Sequence, residues 1–182
     1  MIYLFLANGF EEIEAITTLD ILRRCGLDVM TVSIAGPRLI HGAHGIPIMA
    51  DERFLKSKIL NDCQGMIFPG GMPGAKNLML HDRLKKVIEV HKERKTLMAA
   101  ICAAPMILGE YGVLVGKKAT CYPGFESHLK GALHIDAPVV VDGNIITGKG
   151  PFASVDFAFA IAAHFVPNKK IEAIRKDMFY TV

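Results

Sequence analysis

The chain has 182 residues, of which 51% are hydrophobic and 21% are charged. This length and composition fit one globular domain, predicted over residues 1–182, and exclude a disordered chain. The formal net charge of +3 is small and dispersed, so nucleic-acid binding is not expected, and no run reaches the roughly 18 apolar residues of a membrane span.

The first half of the chain is predicted to contain, in order, strand Ile2–Ala7, helix Glu11–Cys25, strand Leu27–Ala35, short strands within Leu39–Ala50, helix Lys56–Leu60 and strand Gly65–Pro69. The second half continues with helix Asn77–Arg94, strand Thr96–Ile101, helix Ala103–Tyr111, strand Ala119–Tyr122, a hairpin in residues 139–150, and helices Ser154–Phe165 and Asn168–Phe179. Such alternation, with strands that read as apolar runs, predicts an α/β sandwich: a mostly parallel sheet with helices on both faces.

The cysteines and the N-terminus indicate the compartment. The four cysteines show no CxxC or Cys/His spacing, so structural zinc is not expected and the thiols should be free in a reducing environment. The apolar N-terminus lacks the basic start of a secretory signal and is followed at once by Glu11, Glu12 and Glu14. We therefore expect a cytoplasmic protein without a metal or other cofactor.

Three unusual segments each follow a predicted strand. NGFEEIE follows the first strand, GGMPG follows Phe68–Pro69, and Cys102 follows Ile101. Because the carboxyl ends of parallel strands meet at one edge of a sheet, these segments are predicted to lie together, where ligands of such sheets bind.

Cys102 stands at a predicted corner between a strand and a helix. Backbone amides and the positive end of the helix dipole would lower the pKa of a thiol there and favour the reactive thiolate. Free cysteines are also among the residues most often buried as small hydrophobic groups, so this segment alone leaves both interpretations open.

Glu14 has two interpretations as well. Glu11 and Glu12 are explained as acidic residues that complement the helix dipole, but Glu14 shares a half-apolar stripe with Thr18 and Ile21. It is either a surface residue or a buried carboxyl directed at the sheet edge. A buried, protonated carboxyl would donate a hydrogen bond to a thiolate or shuttle a proton.

Gly70 and Gly71 are the third component. Their backbone amides can approach a ligand closely and form a nest for negative charge, as an oxyanion site requires, although a glycine-rich turn without a ligand is also common. The segment is neither GxGxxG nor a phosphate loop, so it gives little support to nucleotide binding.

Four segments run in order over nearly the whole chain: ANGFEEIEAITTLDILRRCG, FPGGMPGAKNL, AAICAAPMIL and GKGPFASVDFAFAIA. With these segments the chain resembles the ThiJ/PfpI superfamily, in the branch of the parkinsonism-associated protein deglycase and its bacterial relatives. The resemblance implies a flavodoxin-like three-layer sandwich that usually forms a homodimer. It also implies that Cys102 is the reactive cysteine, Glu14 its acidic partner, and that the oxyanion site is lined by Gly70, Gly71 and the Ala103 amide.

Other positions depart from the family pattern or lie at its margins. Many relatives have histidine where this chain has Tyr122, and some use it as a third catalytic group, so Tyr122 is a candidate for that role. Its phenol can donate a hydrogen bond but is a poor base at neutral pH. Protease-like relatives have histidine where Ala103 follows the nucleophile. His44 takes the approximate place of an arginine contributed across the dimer, and Arg24 is expected near the site and the dimer interface.

The remaining cysteines and histidines are assigned no catalytic role. Cys121 is either a resolving thiol or, more in keeping with its type, an inert packing residue. Five histidines lack metal-ligand spacing and are interpreted as structural or solvent-facing: His81, His91, His128, His134 and His164.

Three functions are consistent with this site. The first is a glyoxalase- or deglycase-like enzyme in which the Cys102 thiolate attacks a small reactive carbonyl, or a glycated adduct, with Glu14 moving the proton. The second is a redox-sensing or stress-protective protein in which Cys102 is oxidised to the sulfinate. The third and weakest is a cysteine peptidase. Turnover of dicarbonyl compounds distinguishes the first from the second.

Overall fold

The computed structural model describes residues 1–34, 36–54 and 59–180. Its strands are β1 Ile2–Leu6, β2 Val29–Ser33, β3 Leu39–His41, β4 Pro47–Met49, β5 Glu52–Arg53, β6 Gly65–Phe68, β7 Leu97–Ile101, β8 Lys118–Ala119, β9 Leu133–His134, β10 Val139–Asp142 and β11 Ile145–Gly148. Its helices are α1 Glu12–Arg24, α2 Ile59–Asp62, α3 Gly74–Met79, α4 Asp82–Glu93, α5 Pro105–Glu110, α6 Ser154–Phe165 and α7 Asn168–Asp177.

Seven strands form the main sheet in the order β10–β11–β7–β6–β1–β2–β5. All neighbours in it are parallel except β10 and β11, which form the predicted antiparallel hairpin. Successive residues of a strand point to opposite faces, and both faces of β1 are buried, since Tyr3 and Phe5 belong to one core and Leu4 and Leu6 to the other. The sequence therefore reads as an uninterrupted apolar run.

Helices cover both faces of the sheet. Apolar residues of α3, α4 and α5 pack with Phe5 and Phe68 on one face, and those of α1, α6 and α7 pack with Leu4 and Leu6 on the other. This arrangement confirms the predicted α/β sandwich. None of the described helices combines the length and apolar content needed to cross a membrane.

Most predicted elements lie within two residues of the observed ones. Gly26 has a φ of +71° directly after α1, as expected of a glycine that ends a helix, and α6 has the predicted bounds. Part of two predictions lies outside the described residues: Ala35, at the end of the predicted second strand, and residues 56–58 of the predicted short helix, of which α2 is the described part.

Two predicted elements are wrong in extent. The helix predicted at Asn77–Arg94 is interrupted, because the side chain of His81 accepts a hydrogen bond from the Leu84 N–H at 3.2 Å and begins a new helix, α4. The strand predicted at Ala119–Tyr122 is only the two-residue β8, which pairs with β9 outside the main sheet. Beyond it, the Thr120 N–H donates to the Thr147 hydroxyl instead of to a strand.

The β3–β4 hairpin contacts the loop that follows β1. The Gly9 N–H donates to the His41 carbonyl at 2.8 Å, and the Ala43 N–H donates to the Phe10 carbonyl at 2.8 Å. These bonds place the hairpin turn beside the first turn of α1, close to the predicted site.

Candidate active site

The three segments singled out in the sequence meet at one edge of the sheet. Strands β7, β6 and β1 are consecutive neighbours, so the residues that follow them are adjacent in space. A Cβ placed on Gly70, after β6, would lie 2.7 Å from Cβ of Cys102 and 2.8 Å from Oε2 of Glu14. The predicted convergence is therefore present.

Cys102 occupies a strained corner between β7 and the turn before α5. Its φ is +64°, a left-handed conformation that costs a non-glycine residue about 1–2 kcal/mol. Two backbone bonds fix this conformation, since the Cys102 N–H donates to the Gly148 carbonyl at 2.9 Å and the Cys102 carbonyl accepts from the Tyr122 N–H at 2.8 Å. The residue is 9% exposed, so its side chain borders the core and retains a narrow access to solvent.

Glu14 is fully buried in the first turn of α1, with 0% of its surface exposed. Its Oε2 accepts a hydrogen bond from the Gly70 N–H at 2.7 Å, its Oε1 has no hydrogen-bond partner among the described residues, and its carboxyl lies close enough to the Cys102 thiol for each group to shift the pKa of the other. The interpretation as a buried carboxyl directed at the sheet edge is confirmed, and the interpretation as a surface residue is wrong.

Gly70 has a different role from the predicted one. Its amide is already engaged by Glu14 and is not available for a substrate oxyanion. The absence of a side chain is nevertheless essential here, because a Cβ would overlap both members of the Cys102–Glu14 pair and lie 3.0 Å from the Ile101 carbonyl oxygen. Gly70 is therefore a positioning residue for Glu14.

The backbone amides of Gly71 and Ala103 lie beside the Cys102 sulfur and lower the pKa of its thiol, and their role in an oxyanion site stays a prediction. Gly71 has a φ of +83°, and a Cβ on it would lie 2.4 Å from the Glu11 nitrogen and 2.6 Å from the Gly9 carbonyl oxygen. Only glycine fits this position.

The electrostatics of Cys102 differ from the expectation. Burial, and then the charge and hydrogen bond of Glu14, raise the pKa of the thiol to about 12, and the amides of Ala103 and Gly71 offset only part of this rise. The predicted helix dipole is weak at the sulfur, because α5 has six residues and begins only at Pro105. A thiolate held permanently at neutral pH is therefore a wrong prediction.

Glu14 titrates near neutrality. Burial raises the pKa of its carboxyl to about 7, against the lowering effect of the hydrogen bonds from Gly70 and Cys102, and the charge of Glu11 raises it further. Between about pH 7 and pH 12 the pair therefore holds one proton, which lies on the sulfur because the thiol has the higher pKa. This arrangement places an ionised carboxylate beside a protonated thiol.

Tyr122 reaches the site through its backbone. Its N–H holds the Cys102 carbonyl, and its ring, which is 46% exposed, packs against Gly150 and makes an edge contact with Phe125. The bonds described for Tyr122 do not place its hydroxyl at the sulfur, so its role as a third catalytic group stays a prediction.

His44 lies at the edge of the site, in the turn of the β3–β4 hairpin. Its Nδ1 is 2.8 Å from Oε2 of Glu12 and 3.8 Å from Oε2 of Glu11, and its N–H donates to Glu12 at 2.7 Å. Donor atoms of these three residues lie within 4.8 Å of one another, as in a metal site, but the ion pair accounts for the cluster. Glu12 was explained by the helix dipole alone, since only the folded hairpin reveals its partners.

Arg24 is not part of this site within the chain. It lies ten residues beyond Glu14 on α1, about 15 Å along the helix axis, and it pairs with Asp20 at 2.6 Å on the exposed surface. The expected proximity to Cys102 is therefore wrong for the single chain, and the expected place at a dimer interface stays a prediction.

This chain resembles known proteins in sequence and in fold over nearly the whole of its own length. The DJ-1/PfpI family model matches residues 1–164. The Parkinson disease protein 7 homolog of Danio rerio is 33% identical over 180 residues, which are 94% of this chain and 95% of that protein. Protein DJ-1 homolog B of Arabidopsis thaliana is 36% identical over 168 residues, 91% of this chain, and the match spans only 38% of the plant protein.

Solved structures give the same assignment. A mutant of a DJ-1 superfamily protein from Salmonella typhimurium superposes with a TM-score of 0.94 at 33% identity, covering 100% of this chain and 98% of the other. DJ-1beta of Drosophila melanogaster superposes with a TM-score of 0.92 at 29% identity, with the same coverage. From the family match, the sequence identities and the shared fold, the chain belongs to the DJ-1/PfpI family.

Proposed function

We propose that the protein is a cysteine-dependent enzyme that acts on small reactive carbonyl compounds, with Cys102 as nucleophile and Glu14 as its base. The observation that carries this proposal is the direct contact between a strained, slightly exposed thiol and a fully buried carboxyl. A buried carboxylate beside a thiol is costly for stability alone, and such perturbed pairs are typical of reactive sites.

The one proton held by the Cys102–Glu14 pair suggests how the Cys102 nucleophile is activated. Above about pH 7 Glu14 is ionised, so it accepts the thiol proton as the sulfur bonds to the carbonyl carbon. The amides of Gly71 and Ala103 stabilise the charge on the sulfur as the proton leaves. The protonated Glu14 then returns its proton to the new alkoxide, which gives a neutral hemithioacetal.

A 2-oxoaldehyde substrate allows the reaction to finish without an oxidant or a reductant. Glu14, ionised again, removes the proton from the former aldehyde carbon and delivers it to the neighbouring carbonyl carbon through an enediol, which turns the hemithioacetal into a thioester. Water then hydrolyses the thioester, releasing a 2-hydroxy acid and the Cys102 thiol. The net change is the addition of one water molecule to the substrate.

Turnover of methylglyoxal tests this proposal. The wild type should produce lactate, Cys102→Ser should abolish production, and Glu14→Gln should reduce kcat by about 10²–10⁴-fold, the usual contribution of a positioned base. Cys63→Ser is the matched control, because Cys63 is a partly buried thiol that hydrogen-bonds the Gly65 carbonyl in another part of the chain. Undiminished turnover in Cys102→Ser would refute the enzyme mechanism.

A second candidate function, redox sensing, is supported by the same amides. A sulfinate on Cys102 would receive hydrogen bonds from Gly71 and Ala103 and, below about pH 7, from protonated Glu14. Two equivalents of hydrogen peroxide would supply the two oxygen atoms and leave two water molecules. Peptide mass spectrometry after mild peroxide should find both oxygens on Cys102; their preferential appearance on Cys25, Cys63 or Cys121 would exclude this role.

The peptidase alternative has less support. A cysteine peptidase requires a histidine that takes the thiol proton. Within the described residues, the groups that shift the pKa of the Cys102 thiol are the Glu14 carboxyl and the amides of Ala103 and Gly71, and no histidine ring is among them. Cys102-dependent release of a fluorogenic amide would be needed to restore this alternative.

We also propose a homodimer and a cytoplasmic location. An exposed apolar face, formed by Ile13 and Ile16 of α1 and by Ile46 and Met49 of the β3–β4 hairpin, is suited to a second copy of the chain. Arg24 continues the same face of α1 at helical spacing, and His44 lies in the adjoining turn. The free thiols of the four cysteines suit a reducing compartment.

A further inference from the structure

A second cluster of reactive side chains lies next to Tyr122 and takes no part in the proposed reaction. The sulfur of Cys121, a carboxylate oxygen of Glu126 and a ring nitrogen of His134 all lie within 4.8 Å of one another. Cys121 is buried at 1% exposure, whereas Glu126 and His134 are exposed. The cluster therefore combines one buried donor, the Cys121 sulfur, with two donors that are open to solvent.

The fold brings these residues together although their spacing in the sequence gives no metal motif. Strands β8 and β9 run parallel, with Ala119 opposite His134, so His134 lies near the segment that leaves β8 and contains Cys121. Glu126 begins a short 3-10 turn, and both of its carboxylate oxygens accept hydrogen bonds from the Gly124 N–H, at 2.9 and 3.1 Å. The carboxylate is therefore held in place.

Two of the three donors make no hydrogen bond within the described residues. No hydrogen bond within the described residues engages the Cys121 sulfur or the His134 ring. The Glu126 carboxylate retains lone pairs beyond the two bonds from Gly124. Lys149 acts on Glu126 electrostatically, but its ammonium is paired with the Asp136 carboxylate, so the cluster faces no unpaired cation from that side.

The chemistry of the donor set selects a class of ion. A thiolate, an imidazole and a carboxylate suit Zn²⁺, whereas Mg²⁺ and Ca²⁺ prefer oxygen donors alone. In a tetrahedral zinc site the donors are about 3.3–3.6 Å apart, as follows from bond lengths of about 2.0–2.3 Å. The donors therefore have to approach by about 1.5 Å at most, which rotation of the exposed His134 ring and a small shift of the exposed Glu126 carboxylate can supply.

We propose that Cys121, Glu126 and His134 bind one Zn²⁺-class cation, with water as the fourth ligand. Binding releases the Cys121 proton to solvent, after which the thiolate and the carboxylate neutralise the two charges of the ion. The site adjoins the backbone bond from Tyr122 to Cys102, but its occupancy is independent of the carbonyl reaction.

Cobalt(II) titration of the metal-free protein tests the site directly, because a thiolate bound to Co²⁺ gives a near-ultraviolet charge-transfer band and a tetrahedral site gives intense visible bands. The wild type should develop both sets of bands with about one equivalent of Co²⁺ per chain, and Zn²⁺ should displace them. Cys121→Ser should lose the charge-transfer band, and His134→Gln and Glu126→Gln should weaken binding at least tenfold.

The controls locate the ion. His128→Gln alters an exposed histidine of the same loop outside the donor set, and Cys63→Ser alters a cysteine elsewhere; both should bind Co²⁺ like the wild type. The exposed positions of Glu126 and His134 keep the test decisive if Cys121→Ser folds poorly. Co²⁺ bands that survive both His134→Gln and Glu126→Gln would overturn the proposal. Bands that vanish in Cys102→Ser, or that never develop in the wild type, would overturn it as well.

Discussion

At the scale of single residues, the proposed chemistry depends on the Cys102–Glu14 pair. Burial raises the pKa of both groups, so near neutral pH the thiol is protonated while the Glu14 carboxyl is partly ionised. In the proposed mechanism the ionised Glu14 takes the proton of the thiol, and the nucleophile is generated as it reacts. A stable thiolate, which would also oxidise readily, is not needed.

The first prediction concerns the space that Gly70 leaves for this pair. Gly70→Ala should separate Cys102 from Glu14, because the new Cβ would overlap Cβ of Cys102 at 2.7 Å and the Glu14 carboxylate at 2.8 Å. We expect a loss of about 1–3 kcal/mol in the free energy of unfolding, measured with urea, and a large loss of Cys102 reactivity.

Gly150→Ala is the matched control at the same rim. A Cβ there would make only an ordinary contact of 3.4 Å with Tyr122, and the φ of 177° suits any residue. It should change stability by less than Gly70→Ala does. Equal effects of the two variants on stability and on Cys102 reactivity would show that the space at Gly70 has no special role.

The sequence identified the residues of the pair but not their protonation state. Cys102 and Glu14 were found because each follows a strand that ends at the same edge. The pKa of each depends on how deeply the finished fold buries it, and neither burial nor the capture of the Gly70 amide by Glu14 leaves a local pattern in the sequence. The predicted thiolate failed for this reason.

At the scale of elements, the β3–β4 hairpin is attached to the start of α1 by a buried carboxylate. Burial alone would raise the pKa of Glu12, but hydrogen bonds from His44 and from the Ile46 N–H outweigh it and lower that pKa. The same ion pair, with help from Glu11, raises the pKa of His44. The attachment is therefore electrostatic and depends on pH.

The second prediction follows from this attachment. Glu12 stabilises the folded protein at any pH above the ordinary carboxyl pKa, and this stabilisation is lost as the pH falls through the lowered pKa of Glu12. The contribution from His44 is complete below the ordinary imidazole pKa and is lost as the pH rises through the raised value. In Glu12→Gln, the pKa of His44 measured by NMR should fall toward its ordinary value. A His44 pKa in Glu12→Gln that equals the wild-type value would contradict the ion pair. His128, an exposed histidine elsewhere in the chain, serves as the internal reference.

Elements defined by strong periodicity were predicted well, and those defined by tertiary partners were not. Helix α6 and the strands of the main sheet follow apolar patterns that their own residues encode, except for β5, whose two residues, Glu52 and Arg53, are charged and were not predicted as a strand. The break between α3 and α4 depends on the imidazole of His81 acting as a cap, a role that histidine rarely takes. The shortening of β8 depends on Thr147, which is far away in the sequence.

At the scale of the whole molecule, the exposed isoleucines of α1 and of the β3–β4 hairpin form an apolar surface that is unfavourable to leave in contact with water. Ile13 is 56% exposed and Ile46 is 54% exposed, on adjoining elements beside the site. A second copy of the chain would cover them and lie close to His44. The dimer would then limit access to Cys102 from that side.

The third prediction tests this surface. Ile13→Lys should convert a dimer to a monomer in analytical ultracentrifugation, because a buried ammonium without a partner opposes association. Val115→Lys is the control, since Val115 is also an exposed apolar residue, at 67%, but lies outside this face. A dimer that withstands Ile13→Lys, or a wild type that sediments as a monomer, would contradict the proposed interface.

The central claim is that Glu14 acts as the base for the Cys102 thiol, and the pH dependence of Cys102 alkylation tests it most directly. With iodoacetamide and peptide mass spectrometry, the wild-type rate should rise as the pH passes about 7, where Glu14 loses its proton. Glu14→Gln should lack this rise and react appreciably only at higher pH, where the isolated thiol ionises. Identical pH profiles for the two proteins would contradict the account.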